Sequence, residues 1–198
     1  MPGSNLREAL VEEIKDLYNC EKQLVKALPK LARGATREEL SAAFESHLEE
    51  TEGQINRLER VFELLDEKPR GKHCAGIAGI IEEGNETLNE DMEDAVKDAC
   101  LIAGAQRAEH YEIAAYGTAI AWAEALELAE VAELLQETLE EEKAADEKLS
   151  ALAESGINDA ATAGEDMDED QDDKPRMEST PASVSASGKT ARARGGRR

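Results

Sequence analysis

Apolar residues recur along this chain at intervals of three and four, so the pattern predicts long amphipathic helices. In the first, Leu10, Ile14, Leu17, Leu24, Leu28 and Leu31 form one stripe from a cap at Ser4 or Asn5 to about Ala32. Pro29 is expected to weaken the last turn, and Gly34 to stop it. Thr36 with Glu39 reads as a capping box for a second helix running to about Asp66, striped by Leu40, Phe44, Leu48, Thr51, Ile55, Leu58, Phe62 and Leu65. A third helix is expected from about Asp91 to Glu124, with Ile102, Gln106, Glu109, Ile113, Tyr116 and Ile120 along one line. A fourth runs from about Leu128 to Ser155, ending before Gly156, with Leu128, Val131, Leu135, Thr138, Glu142, Ala145, Leu149 and Leu152 inward.

The connections choose among bundle topologies. Helices one and two are joined tightly, and so are three and four. Between them, from about Glu67 to Glu90, lies a long crossover with a short helical piece around Ile77 to Leu88. Short, long, short is the connectivity of an all-α, ferritin-like four-helix bundle. After Asn158 the apolar period is lost. An acidic run, Glu165 to Asp173, is followed by Pro and Ser residues and a basic end, Lys189 to Arg198. The division expected is therefore a bundle over 1–158 and a disordered tail over 159–198.

Charge adds a second pattern to the first. Glu21 and Glu142 fall on core-facing stripes, as does Glu109, with Glu112 one turn on. A buried carboxylate is costly unless something pairs with it. His47 and Glu50 lie beside Phe44 and Leu48 on the second helix. All of these positions are close to the middles of their helices, and midpoints of antiparallel helices share one level. Four helices thus offer an acidic or imidazole group at one depth. A dinuclear centre of divalent iron or manganese would neutralise such a set and act on dioxygen, peroxide or ferrous iron. The candidate ligands are Glu21, His47, Glu50, Glu109, Glu112 and Glu142. Stripe arithmetic prefers Glu142 to Glu141, with Asp146 a turn beyond. Tyr18 and Tyr116 are one turn from Glu21 and Glu112, within range of supporting hydrogen bonds. His110 is a ligand, a supporting partner or an edge residue. His73 beside Cys74 reads as a structural loop pair.

Composition narrows the function classes. The 198 residues carry a net charge of −22 and only 3% aromatic side chains. So acidic a body is a poor grip on nucleic acid or an anionic membrane, and no apolar run spans a bilayer. No signal-peptide block precedes the first helix, so a cytoplasmic location is expected. Cys20, Cys74 and Cys100 lack metal-site spacing and read as reduced thiols filling small spaces. A nucleic-acid-associated stress protein acting through the basic terminus is a further alternative, but the tail permits only weak phosphate binding, opposed by the acidic run before it and the acidic body.

Several of these segments together resemble the YciE/YciF-type ferritin-like stress proteins, a family whose domain has no assigned function. The resemblance spans about Leu6 to Leu152. It rests on Asp16-Leu17-Tyr18 with Glu21-Lys22-Gln23-Leu24, on His47-Leu48-Glu49-Glu50-Thr51 with Gln54, and on Lys72, Cys74 and Gly76 in the crossover. Ala108-Glu109-His110-Tyr111-Glu112 and Thr138-Leu139-Glu140-Glu141-Glu142-Lys143 with Asp146 complete it. It implies a ferritin-like bundle, a homodimer, a two-metal site and a link to stress responses, without an established reaction. The order His47-x-x-Glu50 is the reverse of the wider ferritin and rubrerythrin pattern, and the fourth helix has no histidine. The low histidine count argues against fast iron oxidation, and the lack of a recognisable cage-forming surface argues against iron storage. The alternative is a non-catalytic helical scaffold whose inward carboxylates are satisfied by Gln54, Gln106, Arg107 or water. A small-residue face on helix three, formed by Cys100, Ala103, Gly104, Ala108, Ala115 and Ala119, is a candidate for dimer contact.

Overall fold

The computed structural model describes residues 5–163 of the chain. Its helices are α1 (Leu6–Gly34), α2 (Glu38–Leu64), α3 (Ala75–Asn89), α4 (Asp94–Ala125), α5 (Ala129–Leu152) and α6 (Asn158–Thr162). Among the described residues there are no strands, and no helix is long and apolar enough to cross a membrane. α1 packs on α2 and α4 on α5; α2 also meets α5, and α1 meets α4. The first half of α1 shares an apolar layer with the second halves of α2 and α4 and the first half of α5. α2 and α4 therefore run parallel, as the long crossover requires. This is the ferritin-like arrangement expected.

The core is two apolar layers with a polar layer between them. One contains Leu10, Ile14, Leu17, Phe62, Tyr116 and Leu135. The other contains Leu24, Leu28, Phe44, Ile77, Leu101 and Leu149. The polar layer falls where each helix passes from one to the other, at Glu21, at His47 to Gln54, at Glu109 to Glu112, and at Glu142.

Several local expectations change in the folded chain. Asn5 is the cap of α1, its side chain accepting the Glu8 N–H at 3.0 Å. α1 continues through Pro29 to Gly34. The capping box at Thr36 does not form. The buried Asp98 of α4 instead accepts the Thr36 N–H at 2.8 Å, the Thr36 hydroxyl at 2.7 Å and the Arg37 N–H at 2.9 Å. A carboxylate at a helix start is a stronger acceptor than a hydroxyl and is favoured by the helix dipole. At the other end, Gly156 does turn the chain, at φ 116°, but helix resumes as α6, anchored by buried Ile157 against the α4 side. The expected tail boundary at 158 thus falls at the start of α6; the acidic and basic runs lie outside the described residues.

The crossover is tied down along α1. Lys72 donates its N–H to the Lys15 carbonyl at 3.0 Å, and Cys74 donates its N–H to Asn19 Oδ1 at 2.9 Å. Gln23 donates to the Cys74 carbonyl at 3.0 Å. Gly76 lets the first turn of α3 approach Tyr111: a Cβ there would lie 2.5 Å from the ring. The small-residue face of α4 divides, with Ala108 and Ala119 buried inside the bundle and Ala103 exposed.

Candidate metal centre

All six candidate ligands are within the polar layer or at its edge. Glu21, Glu109, Glu112, Glu142 and His47 are buried, while the Glu50 side chain is 44% exposed. His47, Glu109, Glu112 and Glu142 each bring one ligand atom to a common point, all within 4.8 Å of one another. Glu21 adjoins this set, close enough for the Glu142 charge to act on it. Glu50 stands behind His47, its Oε2 accepting from Nδ1 at 3.2 Å. This directs Nε2 inward, 3.3 Å from Glu109 Oε1 and 3.8 Å from Glu142 Oε2.

Each inward carboxylate is held at one oxygen and free at the other. Tyr116 donates its hydroxyl to Glu21 Oε1, and Gln54 donates to Glu142 Oε1. The Cys20 thiol faces Glu112 Oε1 at 3.8 Å. His47 faces Glu109 Oε1. The second oxygens of Glu21, Glu109, Glu112 and Glu142 are buried without a hydrogen-bond partner. Buried polar atoms are rarely left so. Four such oxygens beside one imidazole are a donor set that suits a carboxylate-rich divalent ion such as iron or manganese.

Burial and mutual repulsion set the protonation of the metal-free layer. Desolvation, then the Glu142 charge, raises Glu21 to about 8. Glu109 and Glu112 are pushed well above the carboxylate range, mainly by burial and then by their acidic neighbours. The opposite holds at the edge, where the His47 hydrogen bond lowers Glu50. Bound cations would reverse the shifts of the inward groups by favouring the charged forms.

The choice between Glu141 and Glu142 is resolved by Arg57. Its guanidinium takes both Glu141 oxygens, at 3.0 and 2.8 Å, and donates to Thr138 at 2.7 Å, holding Glu141 off the centre. Asp146 is likewise engaged elsewhere, by Gln106 at 3.0 Å and His110 at 3.4 Å. His110 is 69% exposed and is an edge residue. Tyr18 turns away from Glu21 to donate to Glu59 at 2.6 Å. Tyr116 supports Glu21 rather than Glu112. Of the residues weighed as non-metal partners, only Gln54 reaches an inward carboxylate; Gln106 serves Asp146 and Ser150, and Arg107 pairs with Glu83 at the surface.

Residue-by-residue inspection of the sequence misses Arg57 and Cys20 as parts of the site. Cys20 is a filler by composition, yet it touches Glu112 and adjoins Cys74. Cys74 contacts the Tyr111 hydroxyl at 3.0 Å, which donates to Asp16 at 3.0 Å. His73 is exposed while Cys74 is buried, so those neighbours form no common site.

Comparison with known proteins places the family and the fold. The family model described as "Domain of unknown function (DUF892)" matches residues 5–162. Protein YciF of Escherichia coli K12 is 47% identical over 159 residues, covering 80% of this chain and 96% of that protein. The crystal structure of the E. coli stress protein YciF superimposes with a TM-score of 0.76 at 46% identity, over 79% of this chain and 99% of that one. YcfI of Rhodopseudomonas palustris gives 0.73 at 46% identity, over 74% and 94%. A Xanthomonas campestris protein at 24% identity, TM-score 0.61, over 83% and 99%, shares the fold. With its bundle matched from end to end, the chain belongs to the DUF892 family and is a homologue of the stress protein YciF.

Proposed function

We propose that the polar layer binds two divalent metal ions, iron or manganese, and that the protein acts on dioxygen or peroxide as part of a cytoplasmic stress response. The observation that carries this reading is the set of four buried carboxylate oxygens without partners, converging around His47. Ions bound there would supply charge neutralisation, one-electron redox chemistry and open positions for a small oxygen species. His47, Glu109, Glu112 and Glu142 would hold one ion, with Glu21 joining Glu112 and Glu142 toward the other. Glu50 orients the imidazole through Nδ1, so that Nε2 offers its lone pair inward. Tyr116 and Gln54 fix Glu21 and Glu142 by their Oε1 atoms and turn Oε2 to the centre. The apolar layers on both sides keep bulk water out and strengthen every charge interaction between them.

Metal analysis after anaerobic loading with ferrous or manganous ion tests the reading. About two ions per chain are expected, as in other two-metal carboxylate bundles. Glu112→Gln should lower the stoichiometry, and loaded protein should consume oxygen or peroxide. Less than one ion per chain, unchanged by Glu112→Gln, would sink the proposal and favour the scaffold reading.

A further inference from the structure

A cavity of about 170 Å³ opens between α2 and α5 directly over the polar layer. Buried His47 and Glu109 form its inner end. Its walls are apolar, with Ala43 and Phe44 on α2 facing Ala145 and Leu149 on α5. Close packing is the rule in protein interiors. Here Ala43 on α2 and Ala144 and Ala145 on α5 leave space that larger side chains would fill.

Size limits what the space is suited to. A single water needs only about 10–15 Å³ by this measure, whereas an apolar cavity of about 150 Å³ accepts benzene or xenon. Dioxygen or hydrogen peroxide alone would leave most of the volume empty. Charge limits it further. At the mouth, exposed Glu50 faces the positive charge of exposed Lys148. Glu141, also on the lining, is occupied by Arg57. The rim therefore selects neither a cation nor an anion. An apolar body with one neutral polar head fits both the walls and the inner end.

We propose that this cavity is the organic-substrate pocket of the centre and takes a short-chain organic hydroperoxide, its alkyl body against Phe44 and Leu149 and its head at His47 and Glu109. The chemistry, though not the binding, rests on the two-metal reading. Reduction of the hydroperoxide breaks its O–O bond and yields the alcohol and water. It would consume two protons and two electrons, and bound divalent iron or manganese would supply the electrons.

Binding is tested on the metal-free full-length protein with tert-butyl alcohol, a redox-inert analogue of tert-butyl hydroperoxide that lacks the distal oxygen. Saturable NMR shifts at the Ala43 and Ala145 methyls are expected. Ala145→Leu, which fills the space from a position that is not itself a candidate ligand, should weaken binding at least about tenfold, while Ala145→Ser should change it less than about twofold. Thermal melting of each variant verifies that it is folded. No saturable binding to the unaltered protein, or equal binding by a folded Ala145→Leu, overturns the proposal. In metal-loaded protein, Ala145→Leu should slow consumption of tert-butyl hydroperoxide about tenfold relative to hydrogen peroxide. An equal effect on both peroxides overturns the substrate assignment. Retained alcohol binding in a protein that takes up no metal would refute the two-metal reading while supporting the pocket.

Discussion

The metal-free bundle should lose stability as pH rises through neutrality, and Glu21 gives the scale. Its folded-state pKa is raised from 4.5 to about 8, first by burial and then by the Glu142 charge. The folded protein therefore holds this proton where the unfolded chain has released it. Below about pH 4.5 the group costs nothing, because both states are protonated. The cost grows from pH 4.5 to 8 and levels off above. One unit is about 1.4 kcal/mol, so Glu21 alone removes about 2–3 kcal/mol between pH 5 and pH 7. Glu109 and Glu112 act in the same direction. Against a typical total of about 5–15 kcal/mol, a loss of this size is readily measured. Urea denaturation of chelator-treated protein at pH 5, 6 and 7 is the assay. General repulsion in so acidic a chain also lowers stability with pH. The difference between the unaltered protein and Glu21→Gln isolates the buried group, since glutamine still accepts the Tyr116 hydrogen bond and does not titrate. That difference should change by about 2–3 kcal/mol across the window, with Glu21→Gln the flatter of the two. Parallel curves for the two proteins, or a steeper one for Glu21→Gln, would refute the reasoning. Saturating divalent ion at about 100 times its dissociation constant should restore about 2.7 kcal/mol at pH 7.

Three further outcomes follow from particular contacts. Asp98→Ala strands the Thr36 and Arg37 N–H groups at the start of α2 and should cost about 2–3 kcal/mol in urea unfolding, against a few tenths if Thr36 capped its own helix. Gly76→Ala puts a methyl 2.5 Å from the Tyr111 ring; a loss of about 1–3 kcal/mol is expected, and a stability gain would contradict the packing. Tyr116→Phe releases Glu21 Oε1 and should weaken metal binding about 10–100-fold in equilibrium titration, with unchanged affinity placing Glu21 outside the centre.

Periodicity alone was enough for much of this protein. A helix repeats every 3.6 residues, so a Glu on an apolar stripe is marked as inward wherever that stripe is narrow. Glu21 and Glu142 were legible for that reason, and both are fully buried. Loop lengths were enough for the ferritin-like connectivity, and helix midpoints for the common depth of the ligands. α4 was harder to read, because alanine and other small apolar residues surround it on every side. Of its predicted line, Ile102, Glu109, Tyr116 and Ile120 are buried and Gln106 and Ile113 half-buried, but the inward face is wider and also takes in Ala105, Ala108, Glu112 and Ala119. Glu109 lies on the predicted line, and the fold buries it with Glu112.

What only the tertiary structure decided is who meets whom across helices. Tyr116 reaches Glu21 from 95 residues away, Arg57 claims Glu141 from 84, and Asp98 replaces the expected local cap of α2 from 62. Local spacing cannot predict such pairs, because they depend on the rotation and axial stagger of one helix against another. Those are set by how the two apolar layers pack. The sequence determined which faces turn inward and at what height; the packing determined which inward carboxylate oxygens found a partner and which four did not.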